Sequence, residues 1–162
     1  MVMKHPGRSV TQAIGRFERA GAVDSSYGAL TQYCLGGILA RVEVIYTDEF
    51  GEWFAALSKP EQDEVIVVVG LLEGLGVALG FPASSALRGS RVALRELRPK
   101  RGRSPIRVIY AFDPDRDAVL LIGGDKSGGA RFYERLIPVA EKIWAEYLAE
   151  HSAGKHRKKE QP

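Results

Sequence analysis

The sequence has little of what usually holds small secreted or membrane proteins together. It has one cysteine, Cys34, among 162 residues, so an internal disulfide is excluded. A lone thiol is typical of proteins from reducing compartments, which predicts a cytoplasmic location. No apolar run reaches the roughly 18 residues that cross a bilayer, so we expect no membrane partner. The basic N-terminus is not followed by the apolar segment of a secretion signal.

Histidine is also scarce, and the three histidines stand close to the chain ends, at His5, His151 and His156. Their positions predict no histidine acid–base pair in the core, no His/Cys metal site and no cofactor. The segment Gly123–Ser127 resembles a phosphate loop, but the Walker pattern requires glycine where Leu120 and Asp125 stand. A nucleotide P-loop is therefore not expected.

What the chain does have is an uneven distribution of charge. From Arg88 to Arg131 there are 11 Lys/Arg against 5 Asp/Glu, whereas the remainder holds 12 against 15. The modest net charge of +3 thus hides one strongly basic region on a mildly acidic frame. Such a region is typical of a surface that meets phosphates.

The length and composition predict one compact domain with appendages. Residues 1–40 are rich in glycine, alanine and serine, and we interpret them as a weakly ordered extension or as upstream sequence from a misassigned start. The domain proper is expected over residues 41–151. Residues 152–162 read as a solvated basic tail.

Periodicity and capping signals predict a β-α-α-β-β-β-α order. Ser58 and Glu61 form a capping box, which outweighs the β-branched run Val65–Val69 and favours a helix there. The predicted strands are 42–46, 92–98, 106–112 and 118–123, and the predicted helices are 48–57, 58–79 and 130–150. The proline-bearing segment Asp113–Arg116 predicts a turn that joins the last two strands as a hairpin. We expect an α+β fold with a small, antiparallel-rich sheet packed by helices on one face.

Three cations are expected to meet at one edge of this sheet. Arg98 ends one strand, Arg107 opens the next, and Lys126 follows the third. Because the end of one antiparallel strand lies beside the start of its neighbour, these side chains should converge on one phosphodiester and stabilise its transition state. Tyr110 and Tyr133 are candidates to stack a base or to pass a proton.

Each of these residues also has a purely structural interpretation. Exposed arginines are usually solvated, Tyr110 can simply pack in the core, and Glu96 can be an ion partner of Arg98 or Arg107. The sheet as a whole could then bind a partner without catalysis. The residues alone leave these alternatives open.

Five segments, taken in order, resemble the HigB-like branch of the RelE/ParE toxin superfamily. The resemblance covers about Arg41 to His151 and rests on the stretches Leu87–Ser90, Arg95–Arg98, Arg107–Asp113, Leu120–Lys126 and Phe132–Pro138. It implies a RelE/ParE-like fold and a bacterial type II toxin that cuts mRNA, commonly on the ribosome. The partner would be a helix-turn-helix, HigA-like antitoxin.

The same resemblance implies a metal-free reaction in which the 2′-hydroxyl attacks the adjacent phosphate. Arg98 matches the arginine of the family's E-L-R motif, Arg107 the arginine that opens the next strand, and Lys126 the lysine after the last strand. Many relatives carry histidine or paired lysines there, so the general base stays open. With Tyr110 these residues form the predicted catalytic set, and the predicted RNA-binding residues are Arg95, Lys100, Arg101, Arg103, Arg131 and Tyr133.

Two other functions fit the same fold. ParE-type relatives inhibit DNA gyrase without cutting RNA. A third possibility is an RNA-binding module without catalysis, whose affinity for RNA would depend strongly on salt.

Overall fold

The computed structural model describes residues 8–9, 42–129 and 131–159. Its strands are β1 (Arg8–Ser9), β2 (Val44–Tyr46), β3 (Ser84–Ala86), β4 (Arg95–Leu97), β5 (Ile106–Phe112) and β6 (Ala118–Asp125). Its helices are α1 (Asp48–Ala55), α2 (Lys59–Leu75) and α3 (Phe132–Lys159). The α+β class is confirmed.

One sheet runs through the molecule in the strand order β1-β2-β6-β5-β4-β3. All neighbours pair antiparallel except β2 and β6, which are parallel. Arg8 and Ser9 pair with Tyr46 and Ile45 at the outer edge. The other predictions for residues 1–40 lie outside the described residues.

The predicted arrangement of helices on one face of the sheet is wrong, because helices cover both faces. Val108 and Tyr110 of β5 join the core formed with α1 and α2, whereas Ile109 and Ala111 join the core formed with α3. The strands β5 and β6 read as almost unbroken apolar runs, which is typical of strands buried on both sides. An irregular register between Ile109 and Tyr110 adds one residue to β6.

The helix predictions hold at their starts and fail at their ends. The capping box of α2 is present, since the Ser58 amide donates to the Glu61 carboxylate at 2.9 Å. The helix ends at Leu75 rather than Leu79, because Gly76 turns the chain with φ +52° and a Cβ there would collide with Val42. Helix α3 continues to Lys159, well past the predicted end at residue 150.

The strand β3 was not predicted. Its sequence, Ser84–Ala86, has low β-propensity, and among the described strands it pairs with β4 alone, at the sheet edge. The turn between β5 and β6 is as predicted: the Arg116 amide donates to the Asp113 carbonyl at 2.9 Å. Within the described residues, no helix is long and apolar enough to cross a membrane.

Candidate active site

A buried carboxylate lies at the centre of the predicted cationic edge. Glu96, on β4, is 6% exposed and accepts a hydrogen bond from Tyr133 at 2.7 Å and another from Ser85 at 3.0 Å. Burial and the bond to Glu96 raise the pKa of Tyr133 to about 12. Tyr133 therefore remains a neutral donor at physiological pH and is not a base.

Two arginines approach this carboxylate from neighbouring strands. The Nε atom of Arg107 lies 3.8 Å from one Glu96 oxygen, and the Nε atom of Arg98 lies 4.0 Å from the other. Both distances exceed hydrogen-bond length, and both Nε atoms are buried without a hydrogen-bond partner among the described residues. Unsatisfied buried donors are rare, and they mark places where an anion or water can complete the arrangement.

Arg98 is the more accessible of the two arginines. Its side chain is 24% exposed, and its guanidinium carbon lies 5.2 Å from the centre of the Phe81 ring. Its other neighbour is Gly102, where a Cβ atom would come within 2.8 Å of the guanidinium. Glycine at this position, with φ +84°, therefore leaves the space that the Arg98 side chain occupies.

Arg107 has a different environment, because it is 4% exposed and much of its guanidinium is engaged by the main chain. It donates to the carbonyls of Ser104 at 2.5 Å and Ile106 at 2.7 Å. Little of this group is left for a bound phosphate. Its position favours a role in holding the loop before β5 and in orienting Glu96.

Lys126 reaches the same region from the end of β6. It is exposed, and its ammonium lies 5.0 Å from the centre of the Tyr133 ring, a cation–π contact. It forms no ion pair with a described carboxylate. The preceding Asp125 instead accepts bonds from the amide and hydroxyl of Ser127, which lower its pKa. We call Glu96, Arg98, Arg107, Lys126 and Tyr133 the Glu96 cluster.

Two residues of the predicted site lie elsewhere. Tyr110 is 0% exposed on the face covered by α1 and α2, and its hydroxyl is bonded to Ser84 at 2.7 Å. Arg95 donates to Tyr110 at 3.0 Å and to the Leu79 carbonyl at 2.9 Å. Both side chains hold the end of the sheet together, and the structure does not bring them to the Glu96 cluster.

The remaining predicted RNA-binding residues are exposed. Lys100 forms an ion pair with Glu64 of α2 at 2.5 Å, while Arg101 and Arg103 follow it in the loop after β4. Arg131 is exposed just before α3. These cations lie in the two segments that follow β4 and precede α3.

A second polar group lies at the other end of β5. The Oδ1 atom of Asp113 accepts bonds from the amides of Asp115 and Asp117, both at 2.9 Å, and its Oδ2 accepts from Tyr147 at 2.9 Å. His151, the last residue of the predicted domain, pairs with Asp115 at 2.9 Å. We call Asp113, Asp115, Asp117, Tyr147 and His151 the Asp113 cluster.

Comparison with known proteins decides the family. A family model described as phage derived protein Gp49-like (DUF891) matches residues 52–145, which contain the whole Glu96 cluster. The chain belongs to the Gp49-like family. The matched segment begins within α1 and ends within α3, so it spans most of the sheet and the Glu96 cluster, and it covers the Asp113 cluster except Tyr147 and His151.

Two relatives of this Gp49-like chain come from Mycobacterium tuberculosis and are named as toxins. HigB2 is 35% identical over 115 residues, which cover 69% of this chain and 57% of that protein. HigB3 is 39% identical over 114 residues, which cover 68% of this chain and 98% of that protein. The chain thus matches little more than half of the HigB2 length but nearly all of HigB3.

Proposed function

We propose that this Gp49-like protein is the toxin of a toxin–antitoxin pair and that it acts as an mRNA endoribonuclease. The toxin assignment is supported by the names of the two relatives and by the family match. The observation that supports a nuclease is the Glu96 cluster, where two guanidinium groups face one buried carboxylate and neither Nε donor has a partner in the part of the chain that the structure describes.

The charge of the cluster suits a phosphodiester. Arg98, Arg107 and Lys126 supply three positive charges, and Glu96 supplies one negative charge. The exposed Lys126 and the partly exposed Arg98 would bind the phosphate oxygens, and Arg107 would hold Glu96 from behind. Cations fixed before the substrate arrives stabilise the extra negative charge of the transition state without reorganisation.

The reaction would be internal transfer at phosphorus. The 2′-oxygen forms a bond to phosphorus while the bond from phosphorus to the 5′-oxygen breaks, which yields a 2′,3′-cyclic phosphate and a free 5′-hydroxyl. The proton leaves the 2′-hydroxyl and one is gained by the 5′-oxygen. Because the arginine and lysine side chains supply the positive charge, we expect the cleavage step itself to need no metal ion.

The partners would be mRNA, presented on the ribosome, and a cognate antitoxin with a helix-turn-helix domain. The resemblance to the RelE/ParE superfamily supports both, and the exposed cations around the Glu96 cluster provide a surface for RNA. A short neighbouring reading frame that encodes such a domain would support the antitoxin assignment. A cytoplasmic location follows from these partners.

The test is cleavage of a defined mRNA, with and without ribosomes, by the wild-type protein and three variants. Arg98→Ala and Lys126→Ala should each slow cleavage by about 100-fold, the usual loss when one transition-state donor is removed. Arg88→Ala is the matched control, because it removes the same charge from an exposed position. Circular dichroism should show all three variants folded.

Other results would overturn the proposal. Intact mRNA under both conditions would exclude a nuclease, and DNA damage in the arrested cells would then favour gyrase inhibition. If wild-type protein cleaves and both Arg98→Ala and Lys126→Ala remain fully active, the nuclease is real but its site lies elsewhere.

A further inference from the structure

Phe81 is an exposed aromatic side chain beside the Glu96 cluster. It is 77% exposed, more than any other large apolar side chain among the described residues. It lies in the connection between α2 and β3, outside both cores. The sequence did not predict a functional role for Phe81, because an apolar residue between glycine and proline is typical of the end of a helix.

The loop that carries Phe81 is tied to the sheet. The Gly80 carbonyl accepts hydrogen bonds from the Ala83 amide at 3.1 Å and from the Ser84 amide at 2.9 Å. The Ala83 carbonyl in turn accepts a bond from the Arg98 amide at 2.8 Å. Phe81 and Arg98 are therefore attached to the same end of the sheet, and the position of one depends on the other.

One face of the ring is occupied by a cation and most of the ring remains in solvent. The Arg98 guanidinium lies 5.2 Å from the ring centre, in the space that the missing side chain of Gly102 leaves open. An exposed aromatic face next to a phosphate-binding cation is the combination that binds single-stranded nucleic acid, because the cation binds the backbone and the ring stacks a base.

Lys126 and Tyr133 form a second cation–aromatic pair within the Glu96 cluster. Lys126 lies over Tyr133 at 5.0 Å, while Tyr133 donates to Glu96. Tyr133 is half-buried and bonded to Glu96, so its ring is less available to a base than that of Phe81. Of these two cation–aromatic pairs, the Arg98–Phe81 pair is the one whose ring is mostly exposed to solvent.

We propose that Phe81 is a stacking platform for a nucleobase of the RNA whose phosphate Arg98 binds. This inference rests on the proposed function and adds a base-binding subsite to it. The subsite would take any base with a flat π-face, and preference among bases would come from stacking strength. An antitoxin side chain seated on Phe81 is the competing explanation.

The experiment compares four variants in ribosome-dependent cleavage and in binding of a 2′-O-methyl RNA oligonucleotide, which lacks the attacking hydroxyl. Loss of one stacked base weakens binding by about 5- to 100-fold. Phe81→Ala and Phe81→Leu should both show this loss in affinity and a matching rise in KM, because leucine is apolar but has no π-face. Phe81→Trp should retain wild-type affinity. Val77→Ala, at another exposed apolar position in the same connection, is the control and should change nothing.

A fluorescence measurement distinguishes the outcomes. Stacking predicts that bound oligonucleotide quenches the Phe81→Trp variant more strongly than the wild-type protein. Wild-type RNA affinity and KM in Phe81→Ala, with reduced antitoxin affinity, would overturn stacking and favour the antitoxin contact. If the wild-type protein binds RNA through Phe81 but cleaves none, the proposed nuclease fails while the subsite stands. If it binds no RNA, both fail.

Discussion

The Glu96 cluster at the start of β5 and the Asp113 cluster at its end share one hydrogen-bond arrangement and differ in the other groups that surround the carboxylate. In each cluster a tyrosine of α3 donates to a buried carboxylate: Tyr133 to Glu96 at 2.7 Å, and Tyr147 to Asp113 at 2.9 Å. Burial is the main cause that raises the pKa of both tyrosines, and the bond to the carboxylate adds to it. Both phenols are therefore fixed donors that attach α3 to the sheet.

The two clusters differ in whether the groups around the carboxylate have their hydrogen bonds satisfied. Asp113 accepts two backbone amides and a phenol, so its cluster is closed by groups of the chain itself. Glu96 faces two guanidinium groups beyond hydrogen-bond distance, and their Nε donors remain unsatisfied within the described residues. A satisfied network stabilises a fold, whereas an incomplete one has room for a ligand. Under the proposed function, the Asp113 cluster is structural and the Glu96 cluster is the site that binds the substrate.

The largest effect that would test this contrast is expected for Asp113→Ala. The change removes the acceptor for two backbone amides and for the Tyr147 hydroxyl, which is held in a partly buried site. The free energy of unfolding should fall by about 2–4 kcal/mol, because unsatisfied donors keep their desolvation cost. Chemical denaturation measures this loss. The cleavage rate per folded molecule should stay at the wild-type level, and a parallel loss of activity would contradict the division of roles.

A smaller effect is expected from the matched pair Tyr147→Phe and Tyr133→Phe. Each change removes one hydroxyl and should cost about 1 kcal/mol of stability. Only Tyr133→Phe should also slow cleavage, by about fivefold or more, because Glu96 then loses the donor that orients it between the arginines. Denaturation and cleavage measured on both variants check this. Equal cleavage rates for the two variants would mean that Tyr133 only attaches α3 to the sheet and does not orient Glu96.

The smallest effect concerns pH and Asp117. Desolvation is the main cause that raises the pKa of Asp117, and repulsion from Asp113, Glu43 and Asp115 adds to it. A carboxyl with a raised pKa in the folded state contributes stability that is present at low pH and lost as pH rises through that pKa. Asp117→Asn avoids this loss, so its Tm should exceed that of the wild type by about 1–3 °C at pH 7.

At pH 3 the wild-type Asp117 carboxyl is protonated, and the difference in Tm should disappear. Thermal melts at the two pH values check the sign. A variant that is less stable at pH 7 would mean that the hydrogen bond from the Glu43 backbone to the Asp117 carboxylate stabilises the fold more than desolvation and repulsion destabilise it.

Local signals predicted the parts of the fold that depend on neighbours in sequence. The capping box of Ser58 and Glu61, the turn after Asp113 and the bounds of β5 all follow from short-range chemistry. The convergence of Arg98 and Arg107 also followed, because antiparallel pairing brings the end of one strand beside the start of the next. The extension over residues 1–40 stays a prediction.

Three features depended on contacts between distant segments. The placement of α3 opposite α1 and α2, the burial of Tyr110 and the exposure of Phe81 are set by which apolar face meets which helix. Short-range sequence patterns do not predict which helix covers which face of the sheet, because an apolar strand can be buried on either face.

The sequence by itself determined the three helices, the strands β2, β4, β5 and β6, the order of the β4–β6 meander and the basic edge where cations meet. Only the tertiary structure decided which of those cations can reach a ligand. It buries Arg107 against main-chain carbonyls and leaves Arg98 and Lys126 accessible. The physical reason is that charge is a property of the residue, whereas burial and hydrogen-bond satisfaction are properties of its surroundings.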